Sequence, residues 1–188
     1  MKRLAIIALA AACGGEISNR YTNAKIGEPC VLAVEDQTTF TGLDAADVTI
    51  ELPSPSADPG QLVCLANHFR GRATCPYGQD SNARPPPDAA ACVTPEGQPV
   101  VGGSVSPQCT DRRAADVMTW SCRCANALGE TNDGADYCSC GSNLVCAQLI
   151  LPIPGDDTAG AYCIKAGTAY SPSTSCEIGC DPTLHPCP

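Results

Sequence analysis

Asp116-Val117-Met118-Thr119-Trp120-Ser121-Cys122-Arg123-Cys124-Ala125 is the stretch whose reading decides the fold. Met118, Trp120, Cys122 and Cys124 fall on one face, and Val117, Thr119, Ser121 and Arg123 on the other. That two-residue period is the signature of a β-strand. Residues 111–118 taken alone also suit a helix, but the longer alternation favours a strand over 116–125. The sole tryptophan then lies among cysteines and is expected to pack against cystines. Cys122-Arg123-Cys124 has a counterpart in Cys138-Ser139-Cys140. The position numbers of Cys122 and Cys140 have the same sum as those of Cys124 and Cys138, as antiparallel pairing requires. Asp133-Gly134 between them supplies a turn signal. The expectation is a hairpin with bridges Cys122–Cys140 and Cys124–Cys138. The alternative is that each CxC unit staples two other elements.

Beyond this stretch the cysteines dominate. The 188-residue chain carries 15 of them, with 17 Gly and 17 Pro. Leu, Ile, Val and Phe together number only 33 of 188, below the ~20% at which a charged chain is expected to be disordered. Judged by its apolar content alone, the chain does not fold. Cysteine reaches the ~8% typical of disulfide scaffolds, and each bridge contributes ~2–4 kcal/mol by restricting the unfolded chain. The fold class that follows is a small disulfide-rich domain, mainly β, with irregular Pro/Gly-rich loops. Cys30, Cys64, Cys75, Cys92, Cys109, Cys146, Cys163, Cys176, Cys180 and Cys187 are expected to be bridged, with partners the sequence leaves open.

Other strand signals are short. Val48, Ile50 and Leu52 alternate with Thr49 and Glu51; Val31–Val34 and Leu62–Ala66 are briefer, and Thr38–Thr41 is the weakest. Residues 76–110 read as loops, punctuated by Pro85-Pro86-Pro87 and Gly102-Gly103. Because Cys75 and Cys92 flank the proline triplet closely, it reads as an internal loop and not as a domain boundary. A spacing of 17 and then 13 residues recurs at Cys92/Cys109/Cys122 and Cys146/Cys163/Cys176, but only Ser121 and Ser175 agree around it, and a duplicated module is not the preferred reading.

The chain opens with Met1-Lys2-Arg3, a nine-residue apolar run over 4–12, and Cys13. A positive start, a short apolar core and terminal small residues form the layout of a secretory signal over 1–12. Nine residues are about half the ~20 needed to span a bilayer. Ala10-x-Ala12 fits an ordinary cleavage site, whereas Cys13 directly after it suits a lipobox, in which the thiol is acylated. Ala10 stands where a lipobox prefers Leu. Parity favours acylation: without Cys13, 14 cysteines remain, and an odd cysteine in an oxidising compartment needs a separate explanation. Lipidation of Cys13, a tether over 13–29 and a stapled domain over 30–188 are the expected organisation. Loss of Lys2 and Arg3 leaves nine basic against 20 acidic residues, a charge of −11. That balance excludes a basic nucleic-acid footprint.

Chemistry-bearing motifs are sparse. There are two histidines, His68 and His185. Gly102-Gly103-Ser104-Val105-Ser106 fails the Gly-x-Ser-x-Gly elbow. The acidic loop 130–136 resembles a calcium loop around Gly134, but its first ligand position falls on Gly129. Asp156-Asp157 beside Gly155 reads as an acidic turn. The CxC units with His68 or His185 offer a zinc set, although in an oxidising compartment bridges are the better reading. A hydrolase with paired carboxylates and a metal-binding protein are therefore the alternatives; no cofactor is expected. Asn67-His68-Phe69-Arg70-Gly71-Arg72, followed by Tyr77, gathers basic and aromatic groups in an acidic chain. His68, Arg70, Arg72 and Tyr77 are the candidate binding residues for an anionic or polar partner, on a loop closed by cystine. The plainer reading is preferred, in which Phe69 and Tyr77 cover a thin core while the arginines balance nearby acids.

The leader together with Leu65-Ala66-Asn67-His68-Phe69-Arg70-Gly71-Arg72-Ala73-Thr74-Cys75-Pro76-Tyr77-Gly78 and Ala161-Tyr162-Cys163-Ile164-Lys165 resembles the cysteine-rich predicted lipoproteins of gliding, predatory soil bacteria. The resemblance implies an exported scaffold at the cell envelope, as an outer-membrane lipoprotein or else secreted, and transfers no active site. The expected function is a non-catalytic envelope binding or structural module. Its partners are the membrane, through covalent lipid, and an envelope or extracellular molecule.

Overall fold

The computed structural model of the chain describes residues 24–53, 61–151 and 158–172. Among these the chain forms six short strands, one turn of α-helix and one 3-10 turn. The strands are β1 (Val48–Glu51), β2 (Val63–Asn67), β3 (Met118–Ser121), β4 (Arg123–Ala125), β5 (Leu144–Ile150) and β6 (Gly160–Lys165). They make two antiparallel sheets, ordered β1-β2-β3 and β4-β6-β5. The protein is a small, multiply disulfide-bonded domain with more strand than helix.

Alternation explains how so few apolar residues fill a core. In β2 all five residues are buried. Val63 and Leu65 point to one side, where they meet Tyr162 and Ile164 of β6 and join the two sheets. Cys64 and Ala66 point to the other, against Leu32, Phe69, Val117, Met118 and Trp120. β6 repeats the device, with Ala161 and Cys163 turned towards Cys122 and Cys124. Trp120 lies across the ladder from Cys64 in the cluster that holds the Cys30–Cys64 bridge.

The expected strand over 116–125 is divided. A single helical turn, α1 (Ala114–Val117), precedes β3, and the chain passes from one sheet to the other at Cys122. Alternation persists from Met118, but all four residues of β3 are buried, so Thr119 and Ser121 are interior as well. Ser121 is accommodated by donating its hydroxyl to Cys163 O, 2.7 Å away. Val31–Val34 is not a strand: Ala33–Asp36 forms the 3-10 turn, for a reason given by Arg72 below. Thr38–Thr41 falls in a turn and irregular chain, whereas β1 lies where alternation predicts it and β2 covers the Leu62–Ala66 candidate, shifted by one residue.

Part of the expected tether belongs to the domain. Gly27 N–H donates to Trp120 O, Trp120 N–H to Glu28 O, and Cys30 N–H to Met118 O, at 2.8, 2.8 and 3.1 Å. Residues 27–30 therefore run along the free side of β3, and Ile26 packs near Cys124 and Cys163. The leader, Cys13 and residues 14–23 lie outside the described residues, as do Cys176, Cys180, His185, Cys187 and Asp156-Asp157.

The bridges correct the hairpin. Cys122 pairs with Cys138, Cys124 with Cys146, and Cys140 with Cys163. The strand that β4 adopts as its neighbour is β6, and the second CxC unit lies in irregular chain, held by Cys138 N–H donating to Arg123 O at 3.0 Å. Each CxC thus staples different elements. Two of the three bridges touch: Cys138 Sγ and Cys122 Sγ lie 3.6 and 3.9 Å from Cys163 Sγ. Cys75 pairs with Cys92, which closes the loop carrying the proline triplet. Cys109 is also disulfide-bonded, with a partner outside the described residues. Duplication gains no support, because Cys92 sits in irregular chain while its counterpart Cys146 sits in β5.

Candidate functional site

The loop expected to present a binding surface is divided between interior and exterior. Cys64 and Cys75 pair with Cys30 and Cys92, so the loop between them is not closed by its own cysteines. Phe69 and Arg72 are both fully buried. Arg72 is brought inward by Gly71, whose φ of +85° and close approach to Ser106 O leave no room for a Cβ. Its guanidinium donates to the carbonyls of Gln37 and Phe40, at 3.1 and 2.6 Å, and to that of Glu35. Three carbonyls converge on one planar fork because the chain turns tightly there, through the 3-10 turn that holds Glu35 and the turn after it that brings Gln37 and Phe40 round. Arg72 Nε and Glu35 Oε2 lie 3.3 Å apart without hydrogen-bond alignment, so that contact is coulombic. Glu35 Oε1 accepts from Ala73 N–H at 2.9 Å. Burial pushes the Glu35 carboxyl above its ordinary range, against the lowering effects of the Ala73 bond and Arg72.

His68 is likewise part of the frame. Its ring stacks on Tyr170 with centroids 3.8 Å apart, and Nδ1 contacts Ala45 O at 3.0 Å. Burial first, and then the charge of Arg112, hold its pKa below the ordinary value. Arg112, which sequence reasoning missed, is buried beneath this stack and donates to His68 O, Asn67 O and Thr168 O. It lies 5.3 Å over the Tyr170 ring. Arg70 is half-buried and does not line the cavity described next. The four candidates therefore do not form one surface.

Tyr77 alone among them lines a cavity of about 300 Å³, together with Gln79, Asp80, Arg84, Pro85, Pro86, Pro87, Val105 and Pro107. Its floor is a two-way backbone pair, Gln79 N–H to Val105 O and Val105 N–H to Gln79 O, both 2.9 Å. Gly78 makes that approach possible: at φ +70°, a Cβ would stand 2.3 Å from Val105 O. The Gln79 amide nitrogen donates to Gly103 O and Val100 O at 2.8 and 3.3 Å, fixing the opposite loop. Asp80 Oδ1 accepts from Asn82 and Arg84 N–H at 2.8 and 2.9 Å, which sets the turn that carries Arg84 to the cavity. The Arg84 N–H bond is the leading cause of the lowered Asp80 pKa. The Cys75–Cys92 bridge spans the base of the whole loop. The prolines and Tyr77 offer rigid apolar walls.

Two other places hold chemistry-bearing groups. The sulfurs of Cys122, Cys138 and Cys163 lie within 4.8 Å of one another, as do those of Cys124, Cys140 and Cys146. All six are in disulfides, and metal ligation requires the thiolate. Of the two histidines that could complete such a set, His68 is engaged with Tyr170 and His185 lies outside the described residues. Lys25 and Lys165 line a broad, open depression of about 1050 Å³ with Glu28, Ser139, Ser142 and Asn143. There the Lys165 ammonium is committed to Ala115 O at 2.6 Å. In the acidic loop, Asp133 accepts from Asn126, Ala135 and Tyr137, so its oxygens serve the loop itself. The Tyr137 hydroxyl, followed by Asn126 and Ala135, holds Asp133 down to about 2.

No protein-family model, curated protein or solved structure matches the chain.

Proposed function

We propose that the protein is an exported, lipid-anchored and non-catalytic binding module of the bacterial cell envelope, held to the membrane through acylated Cys13. One observation carries the binding reading: the Tyr77 cavity is walled by rigid residues and fixed by a bridge, a backbone pair and the Gln79 and Asp80 side chains. Such preorganisation lowers the ordering cost of taking up a ligand. Among the described residues, two groups that hydrolytic chemistry could use serve the fold. His68 is stacked, Glu35 is the one buried acid among the described residues, and it faces Arg72. All 11 described cysteines are disulfide-bonded, which suits an oxidising compartment and favours bridges over a metal set. The resemblance to envelope lipoproteins and the parity of the cysteines support the anchor.

The test is a comparison of the full chain with Cys13→Ala in a bacterium fed an alkyne-labelled fatty acid. The reading expects label and membrane association for the wild type, and an unlabelled, soluble Cys13→Ala protein. An unlabelled wild type in the soluble fraction would remove the anchor from the account.

A further inference from the structure

We infer that the Tyr77 cavity selects a small molecule made of one apolar ring and one carboxylate, with the ring against Tyr77 and the prolines and the carboxylate on Arg84. The inference rests on the binding reading above and adds the chemistry of the ligand. Size sets the first limit. About 300 Å³ lies at the small end of ligand pockets, enough for one ring with a short substituent. The walls set the second. Tyr77, Pro85, Pro86, Pro87, Pro107 and Val105 present flat, conformationally fixed apolar surfaces, which favour an apolar ring.

The polar groups set the third. The Gln79 amide donors are spent on Gly103 and Val100 carbonyls, and Asp80 Oδ1 is spent on two backbone N–H groups. Neither the Tyr77 hydroxyl nor the Arg84 guanidinium has a hydrogen-bond partner among the described residues, and the guanidinium charge acts on the nearby Asp80 carboxylate without a hydrogen bond to it. The contrast with the other arginines sharpens this. Arg72 and Arg112 are buried and saturated with carbonyls, whereas Arg84 is exposed at the cavity. Its backbone is pinned at both sides, since its N–H donates to Asp80 Oδ1 and its carbonyl accepts from Asp80 N–H at 2.9 Å. A guanidinium with five donors on a fixed turn suits the planar, bidentate geometry of a carboxylate. On a chain of net charge −9, Arg84 is the cation of the cavity lining, and its charge is shared between the Asp80 carboxylate beside it and an incoming anion.

The experiment titrates the disulfide-intact full chain, labelled with nitrogen-15, with phenylacetate and with its neutral counterpart 2-phenylethanol. Both probes are expected to shift the Gln79 and Val105 amides saturably, with phenylacetate binding about tenfold more tightly, the factor expected of a charge-assisted bond. Arg84→Gln, a change at an exposed side chain whose spectrum elsewhere reports an intact fold, should lower phenylacetate to the level of 2-phenylethanol. If both probes bind but Arg84→Gln leaves their ratio unchanged, carboxylate selection is wrong while the cavity remains a binding site. If neither probe produces saturable shifts at these amides, the ligand class and the cavity as a binding site both fall.

Discussion

Replacing Arg72 by Met should destabilise the protein far more than a surface arginine would allow. The side chain is fully buried and bonds three carbonyls, those of Glu35, Gln37 and Phe40. Removing it leaves those acceptors without a donor and Glu35 without its counter-charge. Breaking a buried pair by deleting one partner costs about 3–5 kcal/mol, and each orphaned acceptor adds about 1 kcal/mol or more where water does not reach it. Relaxation of the 33–41 turns recovers part of this, so a loss of about 4–6 kcal/mol is expected. Glu35→Gln keeps an acceptor for Ala73 and removes the buried charge, so it should cost only about 0–2 kcal/mol. The double variant should be more stable than Arg72→Met alone.

The pH dependence supplies an internal check. The folded Glu35 pKa is raised above 4.5, chiefly by burial, so the folded state binds this proton more tightly than the unfolded one. Its contribution is therefore fully present below about 4.5 and is lost as pH rises through the folded value. Arg72→Met should accordingly regain stability on acidification, and the double variant should not. Denaturant unfolding under non-reducing conditions, followed by Trp120 fluorescence, measures all four proteins. A loss below about 1 kcal/mol for Arg72→Met, within the range of surface substitutions, would refute the buried-fork argument.

Peptide mapping of the oxidised protein should recover Cys122–Cys138, Cys124–Cys146 and Cys140–Cys163, and recovery of Cys122–Cys140 with Cys124–Cys138 would reinstate the hairpin. Carbon-13 carboxyl titration should find Asp133 ionised down to about 2, and Tyr137→Phe should raise that value. Because this pKa is depressed by folding, the contribution of Asp133 to its loop is present above the ordinary carboxyl range and fades as pH falls through about 2. For His68, also depressed, stability should be lost as pH falls below 6.5 through the folded value. His68→Phe, which keeps a ring on Tyr170, should flatten that dependence in thermal unfolding.

Local alternation made β1 legible, and the short apolar run at 62–66 marked β2, which is buried on both faces. The disulfide-rich, mainly β class followed from a cysteine count that composition could not do without. Pairing was hidden because the second CxC unit lies in irregular chain, where no strand register applies and the Cys138 and Cys140 sulfurs find different partners, Cys122 between β3 and β4 and Cys163 on β6. Arg72 misled for another reason. An Arg flanked by glycine and aromatic residues reads as a presented side chain, and nothing local announces the carbonyls of Glu35, Gln37 and Phe40, more than 30 residues away. Arg112 was missed likewise, since its acceptors lie on the 67–68 and 168 segments. Tyr77 belonged to the predicted set, but the rest of its cavity comes from Gln79, Asp80 and Arg84, from the proline triplet and from Val105 and Pro107, all in a region that the sequence marks only as loop.

The central claim is that bridges reinforce a thin apolar core, and the proposal sets Cys13 apart from them as the lipid anchor. The measurement that tests it most directly is intact mass of membrane-extracted protein, with thiols alkylated before and after reduction. The account predicts a chain beginning at an acylated Cys13, with no alkylation before reduction and 14 alkylated cysteines after it, the number left once Cys13 is set aside. A mature protein with several thiols alkylated before reduction, or with Cys13 unmodified or bridged, would contradict it.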